Sequence, residues 1–525
     1  MKVLIADPIG KSGIEILSKH CEVDVKTGLS KESLIEIIPI YDALIVRSET
    51  KVDRDVISAG KNLKIIGRAG VGVDNIDVDA ATERGIVVVN APEGNTISAC
   101  EHTFALMLSL ARNIPDANAS LKRGEWKRKD FIGVELYGKT LGVIGLGRIG
   151  LAVSQRALSF GMEVIGYDPY ITKERIIEMG IKPVTLEELY ANSDFITLHT
   201  PLTSDTRNLI DRSAFLKMKH GVRIINCARG GIINEQDLIW AIEEGIVAGA
   251  AIDVFEKEPP PSDSPILKNN KIIVTPHLGA STIEAQERVA QIVVEDILRL
   301  FRGEPIKNGV NIGTIKNPEI FPFMKLGDLL GRFAVQLIDT PVNKIDVIYS
   351  GKITEYDCNP ITASAISGVL QQGLTVPVNL VNAFLIAKQR GISISERRIS
   401  ETEGFENLIT LELNGNVRVS GTLLENKEAR LIKYNNYYLN VAFSTHMLFT
   451  EHIDVPGIIG KIGTILGANN INIGFMQVGR SERDAVMILS VDSPVNDDIL
   501  QKIKKIENIK LVKRIYLGGK RLEED

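Results

Sequence analysis

Residues 140–150, TLGVIGLGRIG, restrict the fold more than any other stretch. An apolar run of strand character leads into Gly145, Gly147 and Gly150, in the spacing G-x-G-x-x-G. Each glycine meets a different demand of a strand–turn–helix unit. Gly145 makes the tight turn, Gly147 lets a pyrophosphate approach the backbone, and Gly150 lets the helix pack on the strand. Glycine triplets also occur in ordinary turns. Here a second strand, EVIGYD, ends in Asp168 at about the 20-residue offset of a dinucleotide site. A carboxylate there accepts bonds from ribose hydroxyls and repels a 2′-phosphate, which favours NAD over NADP. The amides of Arg148 and Ile149 open the helix and suit the pyrophosphate.

The surrounding pattern agrees. KVLIA, ALIVR, KIIGRAG and IVVVN are apolar runs without alternation, as in a parallel sheet covered on both faces. A second set runs from KTLGVIGLGRIG through FITLHTP, VRIINCARGG and GAAIDVF to KIIVTPH. Two α/β sheet domains are predicted up to about residue 315, joined by the long helical segment TISACEHTFALMLSLARNI. A helix from Ser281, opened by a capping box with Glu284, is expected to lead back to the first. From 318 to 448 helical patterns (ITASAISGVLQQGL, VNLVNAFLIAKQRG) precede alternating strands. Asn414-Gly415 predicts a two-residue hairpin there, in a separate α+β domain. Residues 449–525 read βαββαβ, a small ferredoxin-like sandwich. At 525 residues several cores are required.

Net charge is −5 with mixed signs and no long basic tract, so neither nucleic acid nor an anionic membrane is expected as a partner. No apolar segment reaches spanning length. The four cysteines are scattered without metal-type spacing, and MKVLIAD reads as a buried strand rather than a secretory signal. The expectation is a cytoplasmic protein without a metal site.

Ligands bind at the carboxyl ends of strands in such sheets. Three residues fall there in the second set: Arg229 in NCARGG, Glu258 in EKEP and His277 in TPH. Alone, each reads as structural or solvated. Together behind a dinucleotide fold they match the needs of oxidising a secondary alcohol. His277 takes the hydroxyl proton, Glu258 stabilises the imidazolium, and Arg229 holds a carboxylate and polarises the reacting oxygen.

At this point the sequence resembles the D-isomer-specific 2-hydroxyacid dehydrogenases over roughly residues 1–315. GRAGVGVDNID, LGVIGLGRIG, NCARGG, DVFEKEP and PHLGAST carry the likeness. The resemblance implies a Rossmann-type NAD domain, residues 98–290, inserted in a flavodoxin-like substrate domain, residues 1–97 and 291–317. It implies Arg229, Glu258 and His277 as the catalytic set. It also implies cofactor contacts at Thr200, Cys227, Ala228 and Asp253, and at Val71 through its backbone alone. Ala69 and Gly70 are implied to grip the substrate carboxylate through amides.

The two appended domains resemble those of long-form members acting on 3-phospho-D-glycerate, the entry to serine synthesis. A 3-phosphate needs cations. Arg47 and Lys51 stand in VRSETKV, and Arg128 in WKRKDF, where relatives reach a neighbouring subunit's site. The tail resembles an ACT domain, which implies L-serine as an effector at His452, Asp454 and Asn472. Domain 318–448 resembles the intervening regulatory domain of those relatives. A homo-oligomer, dimer or tetramer, is implied. Two competing readings are a D-2-hydroxyacid dehydrogenase acting on glycerate or lactate, and a non-catalytic NAD(H)-sensing scaffold. Arg47, Arg128 and the appended domains argue against the first. The intact Arg229–Glu258–His277 set and the ACT-like tail argue against the second.

Overall fold

The computed structural model describes residues 1–313, 315, 317–371, 377–401 and 404–518. The first sheet is five parallel strands in the spatial order Glu22–Val25, Lys2–Ile5, Ala43–Val46, Ile65–Arg68, Val87–Val89. Ala43–Val46 is buried throughout, which explains its unbroken apolar run. Separate apolar cores cover the two faces. The helix Ile283–Phe301 supplies one of them with Val289, Val293 and Ile297. It lies so close that a Cβ on Gly67 would sit 2.3 Å from Val293 Cγ1.

The second sheet has seven parallel strands, ordered Ile272–Val274, Val247–Ile252, Val222–Asn226, Phe195–Leu198, Thr140–Ile144, Glu163–Tyr167, Lys182–Pro183. Chain order reverses between Thr140–Ile144 and Phe195–Leu198. A crevice opens at the carboxyl ends of strands on either side of such a switch point. The glycine loop leaves one of these strands and Thr200 follows the other.

In the third sheet, Ser393–Ile399 runs parallel to Lys344–Gly351 and four antiparallel strands follow, ending at Tyr437–Ala442. The last sheet is antiparallel, ordered Ile473–Ser481, Asp484–Val491, His446–Ile453, Ile509–Tyr516. Helices Ile458–Ala468 and Asp497–Lys504 cover one of its faces. Its other face carries Met447, Phe449, Val486, Ile488 and Ile515 into the same core as Leu411 and Val419 of the third sheet. The two C-terminal sheets therefore share one apolar interior. No helix among the described residues is long and apolar enough to cross a membrane.

Two local expectations need correction, and a third is met as far as the described residues reach. The helix after His277 is capped by Thr282, whose side chain accepts from the Ala285 amide, so Ser281 and Glu284 form no capping box. The turn at Asn414-Gly415 has positive φ at both residues (52° and 72°), as a tight hairpin requires. Yet Leu413 pairs with Val417, which leaves Asn416 as an extra residue in the connection. The helical pattern at 361–374 forms the helix Asn359–Leu370, and residues 372–374 lie outside the described residues.

Candidate active site

The three glycines of the 145–150 loop separate by geometry. Gly145 has φ +90°, and a Cβ there would meet the His199 carbonyl at 2.6 Å. A Cβ on Gly150 would lie 2.0 Å from the Gly145 carbonyl oxygen, so the helix Arg148–Ser159 abuts its own turn. A Cβ on Gly147 would meet nothing within 4 Å. Backbone is therefore open where a pyrophosphate would approach, at the start of that helix, beside the first amides, Arg148 and Ile149. Asp168 closes the loop from the neighbouring strand: its carboxylate accepts from the Leu146 amide at 2.9 Å and the Tyr170 amide at 2.9 Å. Thr200 Oγ1 is buried without a hydrogen-bond partner. An unsatisfied hydroxyl, an open glycine and a carboxylate at the loop are a donor set that fits a dinucleotide.

His277 has φ +53°, a conformation that costs a side-chain-bearing residue roughly 1–2 kcal/mol. The turn aims its ring at Glu258: Nδ1 lies 2.7 Å from Oε2. A carboxylate only accepts, so Nδ1 carries the proton and Nε2 is left to act as base. Glu258 Oε1 accepts from the Phe255 amide at 3.1 Å. Burial disfavours the Glu258 carboxylate, but the hydrogen bond and charge of His277 and the Phe255 amide outweigh it and hold the carboxyl below its ordinary value.

Arg229 comes from the turn after Val222–Asn226. Its Nη1 donates to the Ala228 carbonyl at 2.7 Å, and its Nε lies 3.3 Å from Asp74 Oδ2. Ala228 in turn donates its amide to Asn226 Oδ1 at 3.0 Å. The guanidinium crosses from the second sheet to the 68–75 loop of the first, where Nη2 would lie 2.3 Å from a Cβ on Gly72. There it meets two more arginines. Burial, then the charges of Arg229 and Arg47, push the Arg68 guanidinium down to about 10, and its Nε has no partner. Asp7 holds the Arg47 segment through the Arg47 amide at 2.6 Å, and Asn75 ties the Arg47 carbonyl to its own loop at 2.7 Å. Sequence reasoning missed the side chains of Arg68 and Asp74. Both lie within the quoted GRAGVGVDNID, but no spacing rule marks an arginine whose chain turns inward.

The Ala69 and Gly70 amides donate to the Val46 and Arg68 carbonyls, each at 2.8 Å. Val71 and Gly72 follow in the same loop, and the Val71 carbonyl accepts from Asn90 Nδ2 at 2.5 Å. The Asp253 carboxylate is fully buried and accepts from Thr275, Leu278 and Gly279 of the 275–279 loop. Burial, then the Asp253 charge, push the Cys227 thiol up to about 12, so it stays neutral. Lys51 and Arg128 are exposed, with no ion pair among the described residues. In the tail, His452 is buried on its strand and Asp454 pairs with Arg480 at 3.0 Å. The Asn472 amide donates to Asp492 at 3.0 Å, and no hydrogen bond among the described residues joins Asn472 to His452 or Asp454.

Comparison with known proteins agrees with this geometry. Residues 104–279 match the NAD binding domain of the D-isomer specific 2-hydroxyacid dehydrogenases, 319–435 the D-3-phosphoglycerate dehydrogenase intervening domain, and 446–508 the ACT domain. A D-3-phosphoglycerate dehydrogenase of Archaeoglobus fulgidus is 46% identical over 520 residues, 97% of this chain and 98% of that one. One of Methanocaldococcus jannaschii is 48% identical over 526 residues, covering 98% and 100%. The crystal structure of a D-lactate dehydrogenase from Aquifex aeolicus, complexed with NAD and lactic acid, covers 59% of this chain and 99% of its own at 28% identity, with TM-score 0.53. With its glycine loop, its histidine–carboxylate pair and full-length likeness to these relatives, the chain belongs to the D-3-phosphoglycerate dehydrogenase family of NAD-binding D-isomer-specific 2-hydroxyacid dehydrogenases.

Proposed function

We propose that the protein oxidises 3-phospho-D-glycerate to 3-phosphohydroxypyruvate with NAD, the first step of phosphorylated serine synthesis. The observation that carries this reading is the surplus of guanidinium charge at the cleft. Burial, then the charges of Arg229 and Arg47, hold the Arg68 guanidinium below its ordinary value, with Asp74 and Asp7 as partial counter-charge. A ligand with both a carboxylate and a phosphate relieves that repulsion, and glycerate or lactate would leave part of it. NAD, when bound, supplies the acceptor for the hydride leaving the substrate carbon.

The chain's own groups do the rest. His277 Nε2 takes the hydroxyl proton, Glu258 stabilises the resulting imidazolium through Nδ1, and Arg229 holds the carboxylate and polarises the oxygen. The 145–150 loop with Arg148, Ile149 and Asp168 seats the pyrophosphate and ribose, and Thr200, Cys227, Ala228, Asp253 and the Val71 backbone surround the nicotinamide. Arg47, Arg68 and Lys51 face the phosphate, joined by Arg128 of a second copy. The same reading takes residues 1–97 with 291–317 as the substrate domain and 98–290 as the cofactor domain. Residues 318–448 are then the intervening domain and 449–525 the ACT domain, in a cytoplasmic homo-oligomer. L-serine is read as the effector at His452, Asp454 and Asn472. Exposed Trp126, Ile132 and Tyr137, each at least 75% accessible, support self-association near Arg128.

Steady-state rates of NAD reduction with phosphoglycerate and with glycerate test the assignment. Phosphoglycerate is expected to win in kcat/KM, and equal values would return the protein to the simpler 2-hydroxyacid class. His277→Ala is expected to lose about 10²–10⁴-fold in kcat while keeping NAD affinity. A near-wild-type rate would remove His277 from the role.

A further inference from the structure

Behind the His277 turn lies a second histidine–carboxylate pair, whose histidine has no role in the reaction above. Asp253 is fully buried, between the strand Val247–Ile252 and the 275–279 loop. Its Oδ1 accepts from Thr275 Oγ1 at 2.5 Å and from the Leu278 amide at 2.8 Å, and its Oδ2 accepts from the Gly279 amide at 2.9 Å. Its backbone carbonyl accepts from the His277 amide itself at 2.9 Å. Four bonds from the loop that presents His277 therefore converge on one residue. The ionisable group paired with this carboxylate is His102, from the helix Thr96–Arg112, whose Nε2 lies 3.1 Å from Oδ1 and 3.3 Å from Thr275 Oγ1. The Thr275 hydroxyl already donates to Asp253, so both oxygens facing His102 are acceptors. Nε2 must carry the proton.

We propose that His102 is a positioning residue for the reaction. Through Asp253 it holds the 275–279 loop in the left-handed turn that keeps the His277 imidazole against Glu258. A buried carboxylate is stable only when its oxygens are satisfied, and His102 is the donor that ties this loop to a long helix. The local strain of a positive φ at a non-glycine residue persists only where surrounding bonds over-determine it. Here they are the four bonds to Asp253, completed by His102. Burial opposes ionisation of Asp253, but His102, Thr275 and the Leu278 amide together hold its carboxyl below the ordinary value. The inference rests on the catalytic reading of His277.

The test compares His102→Leu, which keeps bulk and loses the donor, with His102→Gln, which keeps a side-chain N–H. In His102→Leu, kcat is expected to fall at least tenfold with KM for phosphoglycerate within about twofold of wild type. His102→Gln is expected to restore most of kcat. The thermal midpoint of both variants, read in parallel, shows whether they fold. A His102→Leu protein with wild-type kcat, or a His102→Gln protein as slow as His102→Leu at equal midpoint, would overturn the proposal. If His102→Leu does not fold, the folded His102→Gln variant decides through its kcat. Inactivity of the wild-type protein on phosphoglycerate would instead sink the functional reading itself, so the two failures are separable.

Discussion

His199 shows how one residue ties the cofactor loop to stability. It follows the strand Phe195–Leu198, its carbonyl faces Gly145, and its Nε2 lies 3.0 Å from Thr197 Oγ1. Burial pushes its imidazole down to about 4. The folded state therefore favours the neutral ring, whereas the unfolded chain binds the proton near the ordinary value of about 6.5. Stability is whole above about 6.5 and is lost as pH falls from there towards the folded value near 4. Thermal midpoints measured across this window are expected to drop more steeply for wild type than for His199→Asn, which has nothing to protonate. Parallel curves would remove His199 as a source of acid sensitivity. His277 is set differently: it is exposed, paired with Glu258 and held in a left-handed turn.

At the scale of elements, the strand–loop–helix unit around residues 140–159 separates packing from binding. Gly147→Ala adds a methyl group to open space and Gly150→Ala adds one against the Gly145 carbonyl. Gly147→Ala is expected to fold with a near-wild-type midpoint yet bind NAD at least tenfold more weakly. Gly150→Ala is expected to lower stability by about 1–3 kcal/mol, as overpacked sites do. Calorimetric NAD binding and thermal melts read the two effects separately, and matching profiles for both variants would contradict this division of labour. The helix Ile283–Phe301 belongs to the same scale. It leaves the His277 loop and buries its apolar stripe on the first sheet, so that loop and the first-sheet core are mechanically continuous.

For the whole molecule, the shared interior of the third and fourth sheets is the feature with most consequence. An effector at the tail acts on a sheet whose other face is the core of the intervening unit. That unit touches the first sheet domain where Asn379 Nδ2 donates to the Gly85 carbonyl at 2.8 Å. A ligand that shifts the tail thus has a continuous packed route towards the first sheet domain. Serine, titrated by calorimetry and by initial rate, is expected to bind and to lower the rate. Heat without inhibition would mean that this route carries no coupling.

Much of this was legible in the linear chain. Unbroken apolar runs meant buried parallel strands. Three glycines and one aspartate meant a dinucleotide turn. The βαββαβ tail showed its sandwich, because period and spacing follow from local backbone geometry. What the tertiary structure alone decided lies in contacts between residues far apart in order. Arg68 feels the charges of Arg229 and Arg47, the Ala69 amide donates to Val46 of the neighbouring strand, and the Gly70 amide turns back to Arg68. Asp253 bonds to His102 and to the 275–279 loop, and two C-terminal sheets merge into one core. Side-chain direction and long-range partnership depend on how elements dock, and no local periodicity encodes docking.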